Sequence, residues 1–548
     1  MTKQKQLFEL TLYESVRRSA ERFPGRTALV YQGKRIAYRT FLSRIDSLAA
    51  GLYAHGIRER EVVTICMPNI PESVYALYAV NKLGAVAHMV HPLVPPARLA
   101  EYVAETGSKL VFLPEMFYAK YRETLRRLNL PAVVCGPADS LGTLKRGAYR
   151  LLHSADRVRA GDSLAIPSKR MFVKRRKRAL PAGAACAAPD PRADAVYLHS
   201  GGTGAKPKTI RLSSYAIQSL AANTEYILKR KDFENFGMFA VLPLFHGFGL
   251  CMGVHCMLAH GGFDALVPKF SAEETVKLLK KGRLQCLIGV PSLYEALLAR
   301  PAFSGKTLEK LEIAFVGGDF VSQELLERFN ARMRESGCPA ALYEGYGLTE
   351  VVTVCAVNLP GDSRAGTVGR ALPGIEIRIA DAAGNPLPSG TPGEILVAGE
   401  ERMSGYLGDE AETSRAFFRA EGKIFVKTGD FGSLDESGYL TFLSRIKRIV
   451  KVSGVSVYPS EIEQLAVRFP GVAGAYAAGI PDKKRGFAVA LFLQSEGEPD
   501  ERGIAAAIRE NLSVYAQPVR ILTLKEFPRT AVGKTDPAAL IQLLEREE

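Results

Sequence analysis

The nine residues Ser200-Gly201-Gly202-Thr203-Gly204-Ala205-Lys206-Pro207-Lys208 gather the groups that a polyphosphate needs. Three glycines let the backbone turn tightly and aim its N–H groups at an anion. Ser200 and Thr203 add hydroxyl donors, and Lys206 and Lys208 add positive charge. The apolar run Ala195-Val196-Tyr197-Leu198 just before them predicts a short buried strand, so the loop opens at a strand end. It is not a Walker loop. Pro207 stands where that motif has its second glycine, and proline has no N–H and a fixed φ. The dinucleotide pattern G-x-G-x-x-G fails at the same residue. Phosphate binding is the expected role. A solvated Gly-rich surface loop is the alternative that the loop alone leaves open.

Further polar stretches follow in a definite order. Residues 343–350 read Tyr-Glu-Gly-Tyr-Gly-Leu-Thr-Glu, and residues 427–430 read Lys-Thr-Gly-Asp. Residues 445–463 run from Arg445 through Lys451 and Gly454 to Glu463, and residues 528–536 read Pro-Arg-Thr-Ala-Val-Gly-Lys-Thr-Asp. Together with the glycine loop, these stretches closely resemble the ordered signatures of the adenylate-forming (AMP-binding) superfamily. Within it they look most like acyl-CoA synthetases and fatty acid–CoA ligases. The resemblance spans nearly the whole chain.

That resemblance implies ATP-dependent activation of a carboxylic acid, expected to be a fatty acid, to an acyl-adenylate with release of pyrophosphate. Transfer to the thiol of coenzyme A follows. ATP, Mg2+ and coenzyme A are the implied cofactors. The chemistry has a physical reason. A carboxylate repels ATP and its acyl carbon is a poor electrophile. The protein must therefore neutralise the phosphates and hold the carboxylate oxygen in line with the α-phosphorus.

The resemblance also implies roles. Ser200, Gly201, Gly202, Thr203, Gly204 and Lys208 would hold the phosphates. Glu350 would help hold Mg2+ through oxygen, and the Thr349 hydroxyl would contact phosphate. Tyr346 would stack on adenine, with Gly347 beside it. Gly317 and Gly318 would let the backbone lie close to the purine and the acyl group. Asp430 would accept hydrogen bonds from the ribose hydroxyls, and Arg445 would assist there or at phosphate. Lys534 would reach the carboxylate and the α-phosphate during adenylation, its ammonium tracking the moving negative charge. A hinge near Lys447 would then rotate the small domain, withdrawing Lys534 and presenting Lys451 to Gly454 to the pantetheine arm. Lys483, Lys484 and Arg485 would meet coenzyme A phosphates or form a solvated cluster. His246, in Pro243-Leu244-Phe245-His246-Gly247, would border an acyl pocket lined or backed by Val351-Val352-Thr353-Val354-Cys355. A packed core histidine is its alternative reading. The apolar lining suits an alkyl or aryl tail.

Two departures stand out. Gly204-Ala205 replaces a hydroxyl residue followed by glycine, and Ser444 replaces a residue commonly Gly or Asp. Two alternatives remain, the first because coenzyme A and a carrier protein present the same pantetheine arm, the second because of these departures. One is acyl transfer to a carrier-protein phosphopantetheine. The other is a catalytically impaired homologue that only binds nucleotide or acyl ligand.

These residues must be positioned by an α/β architecture, because short apolar runs alternate with amphipathic stretches through the first half. The expected fold is a large N-terminal domain of mixed sheets with packed helices and a β-rich subdomain from about residue 375. A small mobile α+β C-terminal domain completes it. The boundaries are 1–443 for the AMP-binding domain, with a basic variable segment at 145–190, then 444–447 for the hinge and 448–548 for the lid.

The 548 residues suit two or three structural units, and no apolar run is long enough to span a membrane. The nearest, Leu244 to Phe263, is broken by His246, His255 and His260. The N-terminus lacks a signal-peptide apolar core. None of the eight cysteines forms a C-x-x-C pair, which predicts buried reduced thiols and a cytoplasmic protein. The net charge is +15, concentrated between Lys145 and Arg178, where twelve Lys/Arg face two Asp. No aromatic interleaving or nucleic-acid motif accompanies this run, so a solvated connector is expected rather than a nucleic-acid site. At most it would touch a membrane surface or dock an acidic acyl carrier protein. A monomer or homodimer is expected.

Overall fold

The structure is a computed structural model that describes residues 7–136, 138–141, 162–172, 190–200, 207–453, 455–482, 484–530 and 535–545. Its large domain is built on two sheets. One has nine strands, from Arg370–Ala371 at one edge through Leu342–Tyr346, Ile313–Val316 and Cys286–Gly289 to Lys34–Ala37 at the other. The second has eight, from Gly405–Tyr406 through Thr209–Ser213 and Asp194–His199 to Ala165–Pro167. The central strands run parallel and read as unbroken apolar or small runs, such as Val62–Ile65, Val86–Met89 and Ile313–Val316, each buried along its length. That is the pattern of a sheet covered on both faces.

The cover between the sheets explains the core. Helix Pro71–Lys82 is apolar nearly all round, with buried residues from Pro71 through Asn81. Proline at its start costs nothing, because the first helical N–H groups have no partner. The stretch Leu244 to Phe263, the nearest thing to a membrane span in the sequence, is part of this core instead. It holds a π-helix at Phe248–His255 and an α-helix at Cys256–His260, with Leu250, Cys251, Val254, Met257 and Leu258 fully buried. No described helix is long and apolar enough to cross a membrane. The described cysteines are all buried and free.

From Glu376 the chain changes to antiparallel strands, Glu376–Ala380, Gly393–Ala398, Phe417–Ala420, Lys423–Leu434 and Leu440–Arg445, which form a third sheet. A separate C-terminal sheet joins Val450–Val452, Val455–Val457, Gly474–Asp482, Gly486–Gln494 and Pro518–Leu524. Helices Pro459–Ala466, Glu501–Asn511 and Pro537–Glu545 accompany it. This is the expected large mixed domain with a small α+β domain. The small domain meets the large one through stacked Phe431 and Tyr458 rings, centroids 5.5 Å apart, and a hydrogen bond from the Ser460 hydroxyl to the Leu443 carbonyl.

One expectation changes. The basic segment is not solvated connector throughout. Ala165–Pro167 pairs in parallel with Ala132–Cys135, and Met171 is fully buried with its carbonyl against Gly51, whose missing Cβ leaves it room. The apolar residues Leu164, Ile166 and Met171 between the charges drive this burial. The run Lys174 to Arg178 lies outside the described residues.

Candidate active site

The glycine loop sits at the tip of a β-hairpin. Asp194–His199 pairs antiparallel with Thr209–Ser213, ending at His199 opposite Thr209. The neck is closed twice: the Ser200 N–H donates to the Lys208 carbonyl (2.9 Å), and the Lys208 N–H donates to Ser200 Oγ (3.0 Å). These two bonds close the neck between antiparallel strands Asp194–His199 and Thr209–Ser213. Gly201, Gly202, Thr203, Gly204, Ala205 and Lys206 lie outside the described residues. Beneath the neck, His199 and His88 share an Nε2–Nε2 hydrogen bond of 2.8 Å, and Tyr102 stacks on His199 at 3.7 Å. His88 Nδ1 meets Thr64 Oγ1 at 3.0 Å. Burial holds both imidazoles below the usual histidine range, His199 down to about 4, so the pair is neutral and rigidly tethered.

Lys208 points to the next group. Its ammonium pairs with Glu412 and lies 4.6 Å from the centre of the Tyr406 ring. Tyr406 is brought there by a two-residue strand, Gly405–Tyr406, pairing with Thr209–Ser213. Gly405 has φ +142°, and a Cβ on it would meet Thr413, whose Oγ1 accepts the Tyr406 N–H (2.9 Å). The Tyr406 hydroxyl donates to Glu350 Oε1 at 3.1 Å. One tyrosine therefore bridges the lysine of the glycine loop and the expected metal ligand. The sequence reading missed Tyr406 and Glu412.

Glu350 lies in a short 3-10 turn, Thr349–Val351, on the excursion between antiparallel strands Leu342–Tyr346 and Ala356–Val357. Its carbonyl accepts the Met403 N–H (2.8 Å). Directly after it, Val352 has φ +67° and ψ −59°, and the Thr353 N–H donates to the Val351 carbonyl at 2.8 Å. This is a γ-turn of the strained, positive-φ kind. For a β-branched residue such a backbone costs on the order of 1–3 kcal/mol.

The sugar side of the site is a cross-strand pair. Asp430 and Arg445 lie opposite each other on Lys423–Leu434 and Leu440–Arg445, with Arg445 Nε 3.5 Å from Asp430 Oδ1. The Tyr346 hydroxyl donates to Asp430 Oδ2 at 2.7 Å, and its ring is buried beside Phe442. Burial raises the Asp430 carboxyl above its usual range against the opposing pull of Arg445, and the Glu350 charge adds to the rise. The Glu350 charge therefore acts on Asp430.

Gly318 takes φ +82°, which requires glycine, and a Cβ on Gly317 would come within 2.7 Å of the Gly345 carbonyl. The two glycines let the end of strand Ile313–Val316 lie against Leu342–Tyr346. His246 follows Phe245, ring centroids 5.1 Å apart, and Phe245 meets His91 at 4.6 Å. Gly247 packs on the Val352 carbonyl, so the His246 segment touches the turn that follows Glu350. Val351 and Val352 are fully buried. Ser444 is buried on Leu440–Arg445. Lys451 is exposed on Val450–Val452, and Lys484 and Arg485 follow Asp482, whose carboxylate accepts their N–H groups. Lys534, Gly454 and Lys483 lie outside the described residues. A separate cavity of about 470 Å³, lined by Arg18, Arg22, Phe23 and Lys231, contains none of these side chains.

Among the described residues, no group of three or more His, Cys, Asp or Glu side chains could hold a metal ion. Glu350 supplies one carboxylate beside the Thr349 hydroxyl. That donor set fits Mg2+, which keeps several waters and takes further oxygens from substrate phosphates.

The order of these groups along three sheets and a small appended domain is that of an adenylate-forming enzyme. Residues 16–407 match the AMP-binding enzyme family, and residues 461–534 match the AMP-binding enzyme C-terminal domain. The chain belongs to the AMP-binding enzymes and is an acid–thiol ligase. It is 28% identical over 538 residues to a long-chain-fatty-acid–CoA ligase of Bacillus subtilis (strain 168), covering 96% of this chain and 93% of that protein. It is also 28% identical over 545 residues to an indoleacetate–CoA ligase of Aromatoleum aromaticum, covering 98% and 99%. The fold is similar to ATP-bound MatB from Rhodopseudomonas palustris, with TM-score 0.82, 23% identity, and 98% and 99% of the two chains covered.

Proposed function

We propose that this ligase activates an apolar monocarboxylic acid, a fatty acid, and transfers it to coenzyme A. It works with ATP, Mg2+ and coenzyme A. The observation that carries the site reading is the Tyr406 bridge between Glu350 and Lys208 at the neck of the glycine loop, with Asp430 within reach of the Glu350 charge. In the first step, a carboxylate oxygen attacks the α-phosphorus, the bond to the bridging oxygen breaks, and pyrophosphate leaves. In the second, the thiol loses its proton, its sulfur attacks the acyl carbon, and AMP leaves.

Ser200 and Lys208 orient the phosphates at the hairpin neck, and Asp430 and Arg445 hold the ribose side. Tyr346 contributes by fixing the Asp430 carboxylate and by flanking adenine. Glu350 and the Thr349 hydroxyl would hold Mg2+, which neutralises phosphate charge. Lys534 is assigned to adenylation, and Lys451 with Gly454 to the pantetheine arm. His246, with Phe245 and the Val351 to Cys355 stretch, borders the acyl tail. That surrounding is apolar and aromatic, which favours a hydrophobic tail over a charged one. Buried reduced thiols suit the cytoplasm.

The test is pyrophosphate release from a panel of saturated fatty acids, indoleacetate, 4-coumarate and malonate. It is run with and without coenzyme A, and the thioester is identified by mass spectrometry. A fatty acid should give the highest kcat/KM. An aryl acid ahead of every fatty acid would move the substrate class. No acid-dependent pyrophosphate from any of them would end the ligase reading.

A further inference from the structure

We propose that the buried γ-turn at Val352 is a positioning element that fixes the Glu350 carboxylate against the acyl-binding segment and the adenine-side strand. The proposal rests on Glu350 serving as the metal ligand.

The turn has two outward carbonyls, and each is seated on a glycine. A Cβ on Gly247 would lie 2.0 Å from the Val352 oxygen. A Cβ on Gly347 would lie 1.5 Å from the Thr353 oxygen. Neither distance is tolerable, and in both cases the obstacle is backbone, so no rotamer change relieves it. Gly247 belongs to the segment that carries Phe245 and His246, and Gly347 directly follows Tyr346. Three parts of the site therefore meet at one point: the acyl wall, the strand that holds Asp430 through Tyr346, and the turn two residues beyond Glu350.

The turn is held rather than free. Val351 and Val352 are fully buried, the Val352 N–H donates to the Thr349 carbonyl (3.0 Å), and the Cys355 N–H donates to the Tyr346 carbonyl (2.9 Å). The Glu350 carbonyl is pinned by Met403. A positive φ on a β-branched residue persists only when its surroundings over-determine it, and such strain gathers where geometry matters. Val352 could not hold this backbone on an exposed loop. Its conformation is set by the same contacts that set Glu350. Val352, Gly247 and Gly347 are positioning residues that act through Glu350.

The experiment uses the full chain and Mn2+·ATP as probe, with free Mn2+ counted by its electron paramagnetic resonance signal and folding followed by the thermal unfolding midpoint. Gly247→Ala sits in the acyl segment, yet it should weaken Mn2+·ATP binding at least fivefold and leave metal-free ATP binding within twofold. A role in packing alone would lower the unfolding midpoint and leave the metal–nucleotide affinity unchanged, and that result overturns the proposal. Should Gly247→Ala fail to fold, Val352→Gly replaces it. Glycine adopts either sign of φ without strain, so the turn is no longer fixed and the same fivefold weakening is expected. Wild-type affinity in a folded Val352→Gly overturns the proposal. Glu350→Gln separates the two levels. Weakening in Glu350→Gln but in neither turn variant keeps the metal ligand and removes the turn. Weakening in the turn variants but not in Glu350→Gln unseats Glu350 as the metal ligand, and the proposal falls with that reading.

Discussion

Tyr406 holds two charges of opposite sign at one point. Its hydroxyl reaches Glu350 and its ring faces Lys208, whose ammonium also pairs with Glu412. A hydrogen bond to a charged group is worth about 1.5–3 kcal/mol. Tyr406→Phe keeps the ring and removes the hydroxyl, so kcat/KM for ATP should fall ~10–100-fold at one decade per 1.4 kcal/mol. Thermal unfolding should stay close to wild type. A variant within twofold of wild type would reduce Tyr406 to a wall. Glu350 and Asp430 were singled out in the sequence through the family resemblance, because each sits inside a motif with several other residues of that pattern. Tyr406 was not. Its signal is the dipeptide Gly405-Tyr406, which is meaningful only once a two-residue strand pairs beside the glycine loop.

The elements show where local patterning suffices and where it does not. Helices Leu12–Arg22 and Gln323–Glu335 begin at Thr11 and Ser322 caps, and their amphipathic spacing reads directly. The π-helix at Phe248–His255 has no such spacing. It is apolar on every side and could be recognised only by its burial. Strand Gly393–Ala398 leads to a second feature without a sequence signal, the buried Glu401. Its Oε1 accepts from Asn223 Nδ2 at 3.0 Å, and its Oε2 has no hydrogen-bond partner among the described residues. Burial pushes this carboxyl from its ordinary 4.5 up to about 8. Between those values the folded state keeps a proton that the unfolded chain has lost. Stability from this group therefore falls as pH rises from about 4.5 to 8. Glu401→Gln removes that loss. Its melting temperature should gain on wild type steadily from pH 5 to pH 8, measured by calorimetry. A constant difference across that range would mean that Glu401 is ionised in the folded protein.

The two domains meet through polar and aromatic contacts, among them the stacked Phe431–Tyr458 pair, the Ser460 hydroxyl on Leu443 and the Asp319 charge near Arg448, an interface suited to relative motion. The last strand of the large domain's third sheet ends at Arg445, and the first strand of the small domain begins at Val450. We propose the hinge at 444–447, across the end of the Leu440–Arg445 strand and the start of the Ile446–Arg448 turn that follows it. In the proposed mechanism Lys534 and Lys451 have separate duties. Lys534→Ala should cut acyl-adenylate formation at least a hundredfold and change thioester formation from supplied acyl-adenylate less than fivefold, both followed by rapid quench. Equal losses in both steps would contradict the division. The Glu350 charge acts on Asp430, and Tyr406 touches both Glu350 and Lys208.

The order of motifs along the chain was enough to identify the family and its reaction class, because the resemblance is carried by contiguous runs at family-like separations. Alternating apolar runs likewise established the α/β class, since sheet and helix burial impose different periods. Contacts between segments far apart in the chain were beyond reach of any local pattern. The bridge from Glu350 through Tyr406 to Lys208, the histidine pair under the glycine loop, and the seating of the Val352 turn on two glycines all depend on which backbones come within a few ångströms. Packing sets those approaches, and packing is a property of the assembled core rather than of any window of residues.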